Sequence, residues 1–290
     1  MFASALKAMR GLPFVFALAV MSAAMGVAIS VTAPAAATVA DPVLEVTLDP
    51  AQPAQHFSRS QLLSNPALRT IDVADDAAYH RAARYRALPL AAIIPDAAQF
   101  GSLQFTASDG FVANIPGTTL AGPGQAWLAI EPIGKHWPPL KAGSVSAGPF
   151  YLVWTNAEQA GISPEQWPYQ IVNIAAALPL EQRYPQIVPH GQAPDSVSAT
   201  QRGLRVYIAN CAACHQINGG GDAAIGPDLN LPSNPTEYFQ PPSLRKLIRN
   251  PASVRNWGQR LMPAFPIDKL TDASLDDLLA YLQQMASQRP

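Results

Sequence analysis

Five consecutive residues carry the chemistry that can be read most directly from this chain: Cys211, Ala212, Ala213, Cys214 and His215, in the pattern C-x-x-C-H. Two thiols at this spacing, followed at once by an imidazole, are the residue types that attach a c-type haem. The thiols add to the two vinyl groups of the porphyrin, and the histidine ligates the iron through a ring nitrogen. Cys211 and Cys214 are the only 2 cysteines in the 290 residues. Both are taken by this reading, so the expected cofactor is one covalent haem c, with no thiol left for a disulfide, a zinc site or a second haem.

A haem iron that only carries electrons needs a second strong axial ligand. Met262 is the candidate, because it stands in a Pro-flanked loop, Leu261-Met262-Pro263-Ala264-Phe265-Pro266, ahead of the last helical pattern. A thioether ligand favours ferrous iron and raises the potential. The competing reading is an ordinary core methionine, as expected for Met285. The four other histidines, His56, His80, His136 and His190, all lie outside this part of the chain.

Ligating imidazoles donate their second ring proton to a fixed acceptor. The carbonyl of Pro227, in Gly226-Pro227-Asp228-Leu229, is the candidate, against a plain turn. Tyr238 and Trp257 are candidate haem-pocket residues, with core packing as the alternative. Asn218 to Asp222 reads as a flexible turn at the haem edge. The basic run Arg245, Lys246, Arg249, Arg255 and Arg260 either pairs haem propionates, docks an acidic partner or forms a solvated helix face.

The elements that must hold these groups read as helices. Ser198 with Gln201 forms a capping box for a helix towards Asn210. Leu244, Leu247 and Ile248 follow Ser243 at helical spacing and end at Pro251. Thr271 caps a last helix whose Leu275, Leu278, Leu279 and Leu282 form one apolar stripe.

The region of residues 41–185 reads instead as β-rich. Strands are expected at 44–48, 102–107, 111–115, 126–131, 150–155 and 169–174, with a hairpin turn at Asp109-Gly110 and short helices at 60–63 and 75–85. Trp127, Trp137, Trp154 and Trp167 are expected in its core. Residues 186–196, rich in proline and polar residues, read as a linker. The fold class is therefore α+β with two domains: a β-rich N-terminal domain over 41–185 and an all-α domain over 197–290.

Lys7 and Arg10, an apolar run to Val31 and the small residues 33–40 have the layout of a secretory signal peptide over residues 1–40, cleaved after Ala37 or Ala40. The competing reading is an uncleaved N-terminal anchor, in which case the chain is held at a membrane. Either places the remainder outside the cytoplasm, with a bacterial periplasm the best fit. The formal net charge of −1 gives no argument for nucleic-acid binding. Charge is nonetheless divided: residues 196–290 hold 9 Lys/Arg against 7 Asp/Glu, and residues 41–195 hold 8 against 13.

Taken together, Cys211 to His215, Gly226-Pro227, Met262-Pro263 and the helix residues Gly203, Tyr207, Tyr281 and Leu282 resemble a class I cytochrome c domain over about 197–288. The resemblance implies a low-spin haem ligated by His215 and Met262, single-electron transfer, and first and last helices that cross through Gly203 and the aromatic residues. More faintly, residues 55–175 resemble the molybdopterin-binding fold of the sulfite oxidase family. This rests on His56 to Leu63, Tyr85 to Leu90, Thr106 to Phe111 and Gly148-Pro149-Phe150. That family binds molybdenum through a cysteine thiolate, which this region lacks, so no molybdenum cofactor is expected.

The function expected is that of a periplasmic monohaem electron carrier between redox proteins, a dehydrogenase and an oxidase or another cytochrome, with the N-terminal domain docking one partner. It is more an electron carrier than an enzyme. The alternative is an electron-transfer subunit of an oxidoreductase whose N-terminal domain binds a substrate or a pterin. A further class is a haem sensor that responds by losing Met262.

Overall fold

A computed structural model describes residues 40–141, 143–191, 198–255 and 261–290. Residues 1–39 of the expected leader, Trp257 and Arg260 lie outside these residues.

The first part of the described chain is built on two sheets. Strands β1 (Val43–Thr47), β2 (Gln55–Ser58), β5 (Ser102–Ala107), β6 (Val112–Ile115) and β9 (Ile171–Ala177) form a five-stranded sheet in the order β2-β1-β9-β5-β6. Only the β1–β9 pairing is parallel. Strands β3 (Arg69–Val73), β4 (Ala83–Pro89), β7 (Ala126–Ile130) and β8 (Phe150–Trp154) form an antiparallel four-stranded sheet in sequence order. Alternation drives the pairing: Leu44 and Val46 of β1, Ile71 and Val73 of β3 and Tyr85 and Ala87 of β4 turn into one apolar core with Phe105, Leu128 and Trp154. Short helices α1 (Arg59–Leu63) and α2 (Gly117–Leu120) close connections at its edges. The expected hairpin joins β5 to β6, where Gly110 takes a positive φ of 91°.

Two expectations for this region are corrected. The helix expected over 75–85 is a turn followed by β4. Asp76 accepts from the backbone N–H groups of Ala78 and Tyr79 at 3.0 and 2.8 Å, and this local turn displaces the helix. Trp154 and Trp167 are buried core residues, whereas Trp127 and Trp137 only pack against the core's edge.

The second part is helical. After α3 (Leu180–Arg183) come α4 (Ala199–Asn210), α5 (Pro235–Tyr238), α6 (Pro241–Arg249) and α7 (Asp272–Ala286). The α+β layout holds: strands precede, helices follow. Ser198 caps α4 by accepting from Gln201 N–H at 3.3 Å. The Gln201 side-chain amide nitrogen is buried with no partner among the described residues. Thr271 caps α7 through Ser274 N–H at 3.1 Å. Helices α4 and α7 cross at Gly203, where a Cβ would lie 2.1 Å from the Asp277 carbonyl oxygen. Beside that crossing Tyr207 and Tyr281 stack at 5.6 Å.

The expected linker over 186–196 is corrected at its start. A short 3₁₀ turn at Pro185–Ile187 buries Ile187 in the helical core, and Tyr281 donates to its carbonyl at 2.7 Å. Proline and polar content there reflects a packed turn, since backbone hydrogen bonds and one apolar side chain suffice to seat it. Residues 192–197 lie outside the described residues.

Candidate haem site

Helix α4 delivers the C-x-x-C-H segment. The Cys211 N–H still bonds to the Tyr207 carbonyl at 2.8 Å, and the chain then tightens, with Cys214 and His215 N–H both bonding to the Cys211 carbonyl at 3.0 and 2.9 Å. The Tyr207 hydroxyl donates to the carbonyl of His215 at 2.8 Å. The motif is thus fixed to the helix that precedes it.

His215 is fixed on its other side by Gly226-Pro227. Gly226 N–H bonds to the Cys214 carbonyl at 2.8 Å, and the His215 Nδ1 lies 2.7 Å from the Pro227 carbonyl oxygen. Only a proton on Nδ1 satisfies that carbonyl, so Nε2 is left with its lone pair, the form a metal ligand requires. Burial depresses the imidazole's pKa, favouring the neutral ring. Gly226 lies flat against that ring: a Cβ there would sit 2.3 Å from Cε1.

Both thiols are half-buried and unbridged. Burial first, and the carboxylate of Glu165 second, push each up to about 12. At neutral pH they are thiols in a low-dielectric setting, unlike the low-pKa thiolates of redox or zinc sites. No cluster of three or more His, Cys, Asp or Glu residues suited to a metal ion occurs among the described residues.

Cys214 opens onto a cavity of about 490 Å³. Ile225, Leu261, Pro263 and Ala264 line it from the helical side. Met262, between two of these, is half-buried against the helical core. Its loop is tied down from both ends: Phe265 N–H bonds to the Ile248 carbonyl at 3.1 Å, and Arg249 donates to the Phe265 carbonyl at 2.9 Å and to the Leu270 carbonyl. An apolar cavity bordered by a thiol, with a metal-ready imidazole beside that thiol and a Met loop forming a wall, fits a covalent haem. Cys211 and Cys214 would hold it and His215 would ligate its iron.

The opposite wall comes from the β-rich region and was not legible in the sequence. Asp76, Ala78, Asp109, Phe111, Glu165, Trp167 and Tyr169 all border the cavity. Asp76 is fully buried and accepts from the hydroxyls of Tyr85 and Tyr151 at 2.8 and 3.2 Å. Glu165 sits in a 3₁₀ turn capped by Ser163, whose hydroxyl bonds to the side-chain oxygen of Asn210 on α4 at 2.7 Å. The Ser163–Gln166 capping pair is a local signal of that turn, but nothing local says that it faces the haem motif.

Other expected site residues fall elsewhere. Tyr238 is 60 % exposed, packs on Phe239 and is not among the residues that border the cavity. It ends a four-residue helix whose cap, Asn234, is turned into the core by bonds to Asn230 and Leu282. The turn at 218–222 is held rather than loose. Asn218 donates to the carbonyls of Gln186 and Gln288, and Asp222 accepts two bonds from Arg183 at 2.5 and 2.7 Å. Of the basic run, Arg245 pairs with Asp276 and Arg249 with Asp272, so these side chains join α6 to α7.

A sequence model of the family "Cytochrome c" matches residues 200–286. Cytochrome c6 of Pyropia tenera is 35 % identical over 80 residues, which are 28 % of this chain and 85 % of that protein. The chain belongs to the cytochrome c family. The match covers its helical part, from the start of α4 to the end of α7. This cytochrome c domain implies covalently bound haem c and single-electron exchange with redox partners. The β-rich region lies outside the family match.

Proposed function

We propose that this chain is a monohaem c-type cytochrome of the periplasm, in which Cys211 and Cys214 form the thioethers and His215 and Met262 fill the axial positions. The observation that carries the reading is the 2.7 Å approach of His215 Nδ1 to the Pro227 carbonyl, beside a thiol that opens onto the cavity. Bound there, haem c supplies a one-electron couple. The chain's own part is to orient the imidazole through Pro227 and Gly226, to hold the Met loop through Arg249, and to exclude water with apolar walls. With His215 and Met262 both as ligands the iron would have no open site for substrate, which favours an electron carrier over a catalyst.

The β-rich region, about residues 41–185, is proposed as the partner-docking domain. Its resemblance to the sulfite oxidase fold without a cysteine ligand fits a module that keeps the shape and not the metal. Its acidic balance of 8 Lys/Arg against 13 Asp/Glu over residues 41–195 suits a partner with a basic face. Residues 1–40 are proposed as the export signal.

Expression in a host that matures c-type cytochromes tests these points together. One haem per chain is expected, in the periplasmic fraction, on a polypeptide that begins after Ala37 or Ala40. Ferric protein should show the weak near-infrared band of an iron–thioether bond, and Met262→Ala should abolish it. A band that survives the substitution assigns the ligand elsewhere. Stoichiometric molybdenum would favour the oxidoreductase-subunit alternative instead.

A further inference from the structure

Among the carboxylates that border the cavity, Glu165 differs from the rest. Asp75 is paired with Lys269 at 2.9 Å. Asp76 accepts from two tyrosines and two backbone N–H groups. Asp109 is exposed and accepts from Phe111 N–H. The Glu165 carboxylate has no hydrogen bond or ion pair among the described residues, and Glu165 borders the same cavity as Cys214. It stands on the cavity wall without a charge partner, in a region outside the cytochrome c match.

Such a group must respond to the iron's charge. Reduction removes one positive charge from the haem, and an unpaired carboxyl nearby then binds a proton more tightly. We propose that Glu165 is the redox-linked proton site of this protein, taking up one proton from solvent as the haem is reduced and releasing it on oxidation. The electron comes from a donor protein and converts ferric to ferrous iron. The proton forms the O–H bond of the Glu165 carboxyl, and no bond in the protein breaks. The inference rests on the haem reading above and deepens it: the β-rich region would set how the potential depends on pH.

Glu165 is half-buried at the cavity wall, and this desolvation pushes its carboxyl up to about 7, in the range where such a group exchanges protons at physiological pH. His80, Tyr169 and Lys269 border the same cavity. Lys269 is engaged by Asp75, and burial holds the Tyr169 phenol above its ordinary value. On α4, packed against the same turn, Arg202 is paired with Asp277 and Arg205 is exposed. β6, also packed there, carries no ionisable side chain.

The sign follows. Ionised Glu165 stabilises ferric haem, so the midpoint potential is highest in acid and falls as pH rises through the neutral range. It levels off above the carboxyl's pKa in the reduced protein. Spectroelectrochemical titration of the mature holoprotein from about pH 5 to about pH 9 reads this directly. Glu165→Gln should abolish the slope and hold the potential near the wild-type acid limit, with the iron–thioether band unchanged. Asp109→Asn should keep the slope. Reduced-minus-oxidised infrared spectra of the wild type should show a protonated carboxyl appearing on reduction, and this signal decides the matter if Glu165→Gln disturbs ligation.

A wild-type potential independent of pH, a slope that survives in Glu165→Gln, or the absence of that infrared signal would each overturn the inference. A protein that carries no haem c overturns the functional reading and this one with it. Haem c with an unaltered slope overturns this one alone.

Discussion

Arg249 donates through one nitrogen to the carbonyl of Phe265 at 2.9 Å and to that of Leu270, while the other reaches Asp272 at 2.6 Å. One guanidinium therefore ties the end of α6 to the loop carrying Met262 and to the start of α7. Its fork of fixed donors is what allows one side chain to satisfy two carbonyls and a carboxylate.

Replacing Arg249 should loosen Met262 before it unfolds the domain. Hydrogen bonds from a charged donor contribute about 1.5–3 kcal/mol each, and the exposed pair with Asp272 adds little. Arg249→Leu is expected to cost about 2–3 kcal/mol and to bring the loss of the iron–thioether band to lower temperature and lower denaturant. Lys246→Gln, on the exposed side of α6, should leave both where they are. Equal behaviour of the two variants would refute a positioning role for Arg249.

Asp222 is the acid-sensitive tie between the β-rich and helical regions. It accepts from Arg183 and Tyr184, and Asn114 of β6 donates to it at 2.8 Å. Burial works against its ionisation, but the bonds from Arg183, Tyr184 and Asn114 outweigh this and hold the carboxyl below its ordinary range. A depressed carboxyl contributes stability that is complete above the unfolded value of about 3.9 and is lost as pH falls through the folded one. Removing one partner of a buried pair costs about 3–5 kcal/mol. Because Arg183 keeps 20 % of its side chain open to water, Asp222→Asn should cost near the lower end, measured at neutral pH by chemical denaturation. The variant should also lose less stability than wild type on acidification below about pH 4. A variant that tracks wild type throughout that acid range would sink the assignment.

Gly203→Ala should destabilise, although alanine is the better helix former by about 0.8–1.0 kcal/mol. A Cβ placed 2.5 Å from that of Tyr281 and closer still to the Asp277 carbonyl forces α4 and α7 apart. Overpacking of this kind costs about 1–3 kcal/mol, so the net effect is a lower thermal midpoint. A rise would mean that the crossing tolerates a methyl group.

How much of this was legible depended on whether a signal was local. The stripe of Leu275, Leu278 and Leu282 and the caps at Ser198 and Thr271 are short-range patterns, and α4 and α7 form where they predict. Asp109-Gly110 likewise marked its hairpin. Strands β3 and β4 were missed for an identifiable reason. Tyr85 and Ala87 do alternate inward with Arg84 and Arg86 outward, but the alanines around them carry helix propensity, which the sheet pairing overrides. The C-x-x-C-H segment could be read because attachment chemistry confines it to five residues. The far wall could not, since Asp76, Asp109 and Glu165 meet Cys214 only through the tertiary fold.

The seating of Ile187 beneath α7 bears on where the cytochrome c domain can be cut free. Its carbonyl receives the Tyr281 hydroxyl, and Leu180 shares the same helical core. Excision at the start of α4 would leave a vacated socket and an orphaned phenol in the smaller product. A fragment begun near Leu180 keeps both groups and should unfold at higher denaturant than one begun at the start of α4.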